Sequence, residues 1–140
     1  MGQEILREWE MNLRSIVFIL TLLALLPGTA VAAAAVTCHY TYGGETRSVS
    51  AHATDTPYTV VPIKIGSYFL LRVVLEAGSA AKIYTYADHD DGPVAIHISE
   101  HPFPLARRRQ APGFTGFQTV YEPMRDGELQ YWCAAGAATK

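Results

Sequence analysis

Five histidines and a run of aspartates are the side chains of this sequence that are best suited to bind a metal ion. Asp88, His89 and Asp90 are consecutive and offer imidazole and carboxylate ligands of the kinds that zinc and copper accept. His97 and His101 follow, but four residues of extended strand separate their backbones by about 13 Å, too far for one ion unless the chain bends. Aspartates also collect in turns for backbone reasons alone. We therefore expect a chain without a cofactor, and a copper or zinc site built from these five residues is the alternative hypothesis.

A segment rich in proline and arginine, residues 101–114 (HPFPLARRRQAPGF), is the candidate binding loop. It carries Arg107, Arg108 and Arg109 in a row, and guanidinium groups bind carboxylates and phosphates through paired hydrogen bonds. Phe103 adds an aromatic side chain to the same segment. Long loops in small domains frequently hold functional residues, so we expect this loop to bind a ligand or a protein partner.

Cys38 and Cys133 are the two cysteines of the chain and lie far apart in the sequence. They form no C-x-x-C pair of the kind that binds metal, and disulfides persist in proteins that leave the cytosol. We expect them to be bonded to each other. A bond that closes a loop of about 95 residues is expected to stabilise the folded state by on the order of 4 kcal/mol.

The amino-terminal segment predicts export. Residues 15–26 form an apolar run, followed by Pro27-Gly28 and then by Ala30, Val31 and Ala32, which is the order of parts in a signal peptide. A run of this length is too short to cross a bilayer core, which takes about 20 residues of helix. We predict a signal peptide over residues 1–32, with Ala34 as a second cleavage site, and a periplasmic or secreted mature chain without a membrane span. Residues 1–10 carry three glutamates against one arginine and are interpreted as an artefact of start-codon choice.

Length and charge restrict the class of protein. Residues 33–140 are enough for one domain with one core. The chain carries 11 basic and 13 acidic residues, so no charge excess favours nucleic acid or anionic lipid as a partner. No Gly-x-Ser-x-Gly turn and no phosphate-binding glycine loop occurs in the sequence, and nothing assigns the histidines and carboxylates to one cleft. We therefore do not expect an enzyme.

Turn residues punctuate residues 33–140 at intervals of about ten, and the runs between them are rich in Val, Ile, Thr, Tyr and Phe, which favour strands. We predict eight strands and an all-β fold, a small antiparallel β-sandwich of immunoglobulin-like or related type. A small closed β-barrel is the alternative. The eight runs are 36–42, 45–53, 58–65, 68–76, 82–87, 94–99, 115–121 and 128–134.

Two-residue turns fix the register of two predicted hairpins. A turn at Gly43-Gly44 places Cys38 opposite Val49, on the apolar side of the first hairpin. A turn at Asp126-Gly127 places Val120 opposite Cys133 and Tyr121 opposite Trp132. The first and last strands are then expected to meet across the core through their sulfurs. Tyr121 and Trp132 form an aromatic pair that is either core or a surface for a partner.

These observations predict an exported accessory or binding module without catalytic activity. We expect it to dock a protein partner of the cell envelope, or a ligand, through Tyr121, Trp132 and the 101–114 loop. The alternative function is that of a periplasmic metal-binding protein. The sequence does not indicate the oligomeric state.

Overall fold

The computed structural model describes Gly2 and residues 34–137, and all of the strands belong to one compact unit that spans Ala32–Lys140. The predicted signal peptide lies outside the described residues, apart from Gly2. Within the described part of the chain, no helix is long and apolar enough to cross a membrane.

The described residues form an all-β structure of eight strands, as the sequence predicts. The predicted run 58–65 is the one that changes most: Pro57–Thr59 is a single 3₁₀ turn, and only Ile63–Ile65 is a strand. Pro57 and Pro62 have no N–H group to donate to a strand ladder, which explains the loss. The strands are β1 (Ala34–Tyr42), β2 (Glu45–Thr54), β3 (Ile63–Ile65), β4 (Phe69–Glu76), β5 (Ala80–His89), β6 (Gly92–Pro102), β7 (Gln118–Glu122) and β8 (Gly127–Ala137).

The strands pair into one mixed sheet in the order β6-β5-β4-β2-β1-β8-β7, and β3 pairs with β4. Every pairing is antiparallel except that of β2 with β4, which is parallel and covers two residue pairs. The sheet curls so that its two ends approach each other. The Tyr131 hydroxyl of β8, near one end, contacts His97 and Ser99 of β6, at the other end. The fold is therefore a nearly closed barrel, nearer to the barrel alternative than to an open sandwich.

The core lies inside this curled sheet. Phe69, Leu71, Val73 and Leu75 alternate along β4 and point inward, as the period of a strand requires. Val74 points to the other face and is also buried, as is typical of a central strand that is covered on both sides. The remaining buried members of the core are Val36, Cys38, Ile65, Ala81, Ile83, Val120, Leu129, Tyr131 and Cys133.

The β1–β2 hairpin has the register that the sequence predicts. Tyr42 lies opposite Glu45, and Cys38 lies opposite Val49. Gly43 and Gly44 both have positive φ, at 59° and 81°, which is the conformation that a two-residue turn between antiparallel strands requires.

The predicted register of the β7–β8 hairpin is wrong. Tyr121 lies opposite Glu128 instead of Trp132, and Val120 lies opposite Leu129. The turn, residues 123–126, is longer than two residues, and the buried Glu122 carboxylate accepts hydrogen bonds from two of its N–H groups, those of Met124 at 3.2 Å and Arg125 at 2.8 Å. The shift is an even number of residues, so the inward and outward faces of both strands are as predicted.

Cys38 and Cys133 form the predicted disulfide. The sequence predicts a bond that crosses the core, and this part of the prediction is wrong. The two strands are neighbours in the sheet and the two cysteines lie directly opposite each other, so the bond joins adjacent strands. It still ties the first strand of the domain to the last.

A candidate ligand pocket under the 101–114 loop

The 101–114 loop is held to the barrel at both of its ends. The Phe103 N–H donates to the Ser79 carbonyl at 3.0 Å, and the Phe114 N–H donates to the Cys133 carbonyl at 2.9 Å. Gly113 has a φ of 64° and lies so close to the Cys133 carbonyl that a Cβ atom there would collide with it. The loop therefore runs from the end of β6 to the middle of β8 and is anchored to the barrel at both of these points.

A pocket of about 410 Å³ lies between this loop and the ends of strands β1 and β8. This volume is within the range of about 300 to 1,000 Å³ that small-molecule sites occupy. Four of its residues are alanine or glycine, and their small side chains leave the space open. We call it the arginine pocket; its lining residues are Ala34, Ala35, Leu75, Phe103, Pro104, Leu105, Arg107, Arg109, Ala135 and Gly136.

The charge of the arginine pocket is positive. Arg107 and Arg109 contribute two guanidinium groups, and none of the described residues that line the pocket is acidic. Among the described residues neither arginine has an ion-pair partner, whereas Arg47 and Arg125 each lie within 4 Å of a carboxylate. The pocket thus combines apolar walls with two positive charges that no side chain in the described part of the chain neutralises.

The side chains that line the arginine pocket are of the types that contact ligands through apolar surface and positive charge. Apart from the two arginines its side chains are aliphatic, aromatic or absent. None of them is a nucleophile, and none transfers a proton near neutral pH.

The structure brings together three of the six predicted binding residues. Phe103, Arg107 and Arg109 line the arginine pocket, and Arg108 does not. Arg107 and Arg109 are two positions apart in a segment without regular secondary structure. Arg108 separates them, and its N–H donates to the Ala106 carbonyl at 2.8 Å.

Tyr121 and Trp132 are not part of the arginine pocket, and they do not pair with each other. The Trp132 ring stacks on His39 of β1, with centroids 4.2 Å apart and planes inclined by 19°. Tyr121 is 54% exposed, and its hydroxyl donates to Asp126 at 2.7 Å, which raises the pKa of Tyr121. The two rings therefore occupy separate places on the outer side of the sheet, one packed against the neighbouring strand and one open to solvent.

The three histidines of the metal hypothesis have different surroundings. His89 lies 3.8 Å from the Glu122 carboxylate, beyond hydrogen-bonding distance. His97 is hydrogen-bonded to the Tyr131 hydroxyl at 3.0 Å. The His101 ring packs with its edge against another aromatic ring, Phe114, at a centroid distance of 5.1 Å.

The two aspartates of that hypothesis also have other neighbours. Asp88 pairs with Lys64 at 2.9 Å, and Asp90 lies 3.8 Å from Arg125. In the region that the structure describes, no group of three or more His, Cys, Asp or Glu side chains is placed to hold a metal ion.

The sequence did not reveal the polar side chains on the inner face of β6. His97, Ser99 and the buried Tyr131 form what we call the inner polar cluster, in which the tyrosine hydroxyl contacts both partners at 3.0 Å. Burial lowers the pKa of His97. Burial also raises the pKa of Tyr131, and the hydrogen bond with Ser99 partly offsets that rise. The alternation of His97, Ser99 and His101 was the available signal, but it required knowing that this side of β6 faces inward.

The chain matches no protein-family model, no curated protein and no solved structure.

Proposed function

We propose that this protein is an exported binding module that takes up its ligand in the arginine pocket and has no catalytic activity of its own. The observation that carries the proposal is the pocket itself, a cavity of about 410 Å³ with apolar walls and two arginines. Within residues 34–137 these arginines have no ion-pair partner, and no lining side chain is suited to catalysis. A ligand site of this kind is mainly apolar, with a few charged groups that fix the orientation of the ligand.

Two features support export. The order of parts in residues 1–32 is that of a signal peptide, and the disulfide between Cys38 and Cys133 belongs to a compartment where thiols are oxidised. Cleavage after Ala32 would start the mature chain one residue before Ala34, which lines the pocket. The occupant is then a small molecule of that compartment or a segment of an envelope protein that enters the pocket.

A variant that adds bulk to the pocket lining tests this proposal. Gly136 lines the arginine pocket, and a Cβ atom at this position meets no other atom within 4 Å, so Gly136→Leu adds a large side chain to the lining without a collision at its Cβ atom. We expect wild-type protein isolated from its native compartment to carry a bound molecule or partner in native mass spectrometry. Gly136→Leu should have the same disulfide and thermal stability but carry nothing.

Arg108→Ala is the matched control, because it lies in the same loop but outside the pocket lining. It should retain whatever wild-type protein retains. If Gly136→Leu and wild-type protein carry the same occupant in the same amount, the pocket is not the binding site and the proposal is wrong.

A further inference from the structure

We propose that the ligand of the arginine pocket is a small amphipathic carboxylate of about a dozen non-hydrogen atoms in all, with an apolar body and one carboxylate at its end. This inference rests on the proposed function and specifies the ligand of the same site.

The size of the ligand follows from the size of the cavity. A volume of about 410 Å³ holds on the order of 14 groups of the size of a water molecule, each with a share of about 30 Å³. A straight-chain acid such as decanoic acid is close to this limit. A nucleotide or a folded peptide segment is larger than the space available.

The apolar body follows from the walls. Leu75 is almost fully buried and belongs to the core, and Phe103 and Leu105 cover the pocket from the loop side. Ala135 adds a methyl group from β8. These side chains offer no hydrogen bond to a polar ligand body, so burial of hydrocarbon is the favourable interaction that the walls provide.

The carboxylate follows from Arg107 and Arg109. Their guanidinium groups are exposed and lack ion-pair partners among the described residues, so a ligand anion can pair with them without displacing an internal partner. Guanidinium binds carboxylate and phosphate alike through parallel hydrogen bonds. The lining has no serine, threonine or lysine side chain to complete a phosphate site, and two guanidinium groups suffice for the two oxygens of a carboxylate.

Four probes, each with a chain of ten carbon atoms, test the head group: decanoate, decyl phosphate, decanol and decyltrimethylammonium. Binding to the full chain, as the cell processes it, is measured by isothermal titration calorimetry below the micelle concentration of each probe. We expect decanoate to bind at least about tenfold more tightly than decanol, as one charge-assisted contact allows, and the cation not to bind. Shortening the acid should weaken binding about fourfold per methylene removed, the value expected for buried hydrocarbon.

Two variants and one solution condition locate the effect. The double variant Arg107→Ala, Arg109→Ala should bind decanoate and decanol equally, whereas Arg108→Ala should behave as wild type. In wild-type protein, added salt should weaken the binding of decanoate and leave that of decanol unchanged, because the arginines are exposed to solvent. The salt experiment uses wild-type protein alone, so it tests the carboxylate even where a variant fails to fold.

The outcomes separate this inference from the proposed function. Equal binding of decanoate and decanol to wild-type protein, abolished by Gly136→Leu, would confirm the pocket and overturn the carboxylate. Preference for decyl phosphate over decanoate would also overturn the carboxylate. Binding of no probe, together with an occupant that Gly136→Leu retains, would overturn both.

Discussion

The β1–β2 and β7–β8 hairpins are closed by different devices. In β1–β2, two glycines with positive φ make a two-residue turn, and the turn backbone alone sets the register. In β7–β8, a side chain sets the register, because the buried Glu122 carboxylate holds two backbone N–H groups of a longer turn. The two-glycine turn can be predicted from two adjacent residues of the sequence. The second device depends on where a carboxylate lies in the folded protein, and the sequence gives no local sign of it.

The two hairpins meet at β1 and β8, and the disulfide is the covalent link between them. The largest effect on stability is therefore expected from the double variant Cys38→Ala, Cys133→Ala. The bond closes a loop with a sequence separation of 95 residues. Its loss should lower the free energy of unfolding by about 4 kcal/mol, measured by urea denaturation.

Wild-type protein in a reducing buffer is the control for the disulfide variant, because it loses the bond without a change of sequence. Both should lose stability by a similar amount. A loss below about 1 kcal/mol in both would mean that the pairing of β1 with β8 alone holds the two hairpins together, contrary to the entropic argument.

The next largest effect is expected at the turn of β7–β8. Glu122 is 2% exposed, and Glu122→Ala leaves the N–H groups of Met124 and Arg125 without their acceptor. We expect a loss of about 2 kcal/mol and faster amide exchange along β7, with exchange along β2 unchanged.

Glu128→Ala is the matched control in the same hairpin, because Glu128 is exposed and its carboxylate accepts only a side-chain hydrogen bond, from Gln130. It should change stability by less than about 0.5 kcal/mol. If the two glutamate variants lose equal stability, the register of β7–β8 does not depend on the buried carboxylate.

The turn of β1–β2 should respond to a change of glycine instead. Gly44 has a φ of 81°, so Gly44→Ala should lower stability by about 1 kcal/mol through backbone strain. Gly43→Asn should be nearly neutral, since asparagine is accepted at the first position of such a turn. The order of the melting temperatures, Gly43→Asn above Gly44→Ala above Glu122→Ala, checks the comparison of the two hairpins.

The same contrast explains which parts of the candidate site could be predicted. The spacing of turn residues predicts the strands, and the loop with Phe103, Arg107 and Arg109 stands out by composition. The wall of the pocket opposite the loop is formed in part by Ala34 and Gly136. These residues lie at opposite ends of the domain sequence and become neighbours only when β1 pairs with β8. The choice of Arg107 and Arg109 over Arg108 depends on the irregular path of the loop backbone, in which the Arg108 N–H donates to the Ala106 carbonyl, and the sequence does not predict this path.

The two hairpins also differ in what covers their inner tyrosines, and this difference predicts a dependence on pH. Tyr42 of β1 packs with its edge against Phe69, whereas Tyr131 of β8 is hydrogen-bonded to His97 in the inner polar cluster. Because burial lowers the pKa of His97, the unfolded chain binds a proton more readily than the folded protein. The contribution of neutral His97 to the free energy of unfolding is complete above the ordinary histidine pKa of 6.5. It is lost as the pH falls through the lowered pKa of the folded protein.

This pH dependence is the smallest effect that we expect. His97→Gln should flatten the decrease of stability between about pH 7 and pH 5, measured by urea denaturation at each pH. His52→Gln on the exposed side of β2 should leave the slope as in wild type. Some slope should persist in His97→Gln, since burial also lowers the pKa of His101. A slope that both variants share with wild type would show that the proton is taken up elsewhere and that the His97–Tyr131 contact does not distinguish the two hairpins.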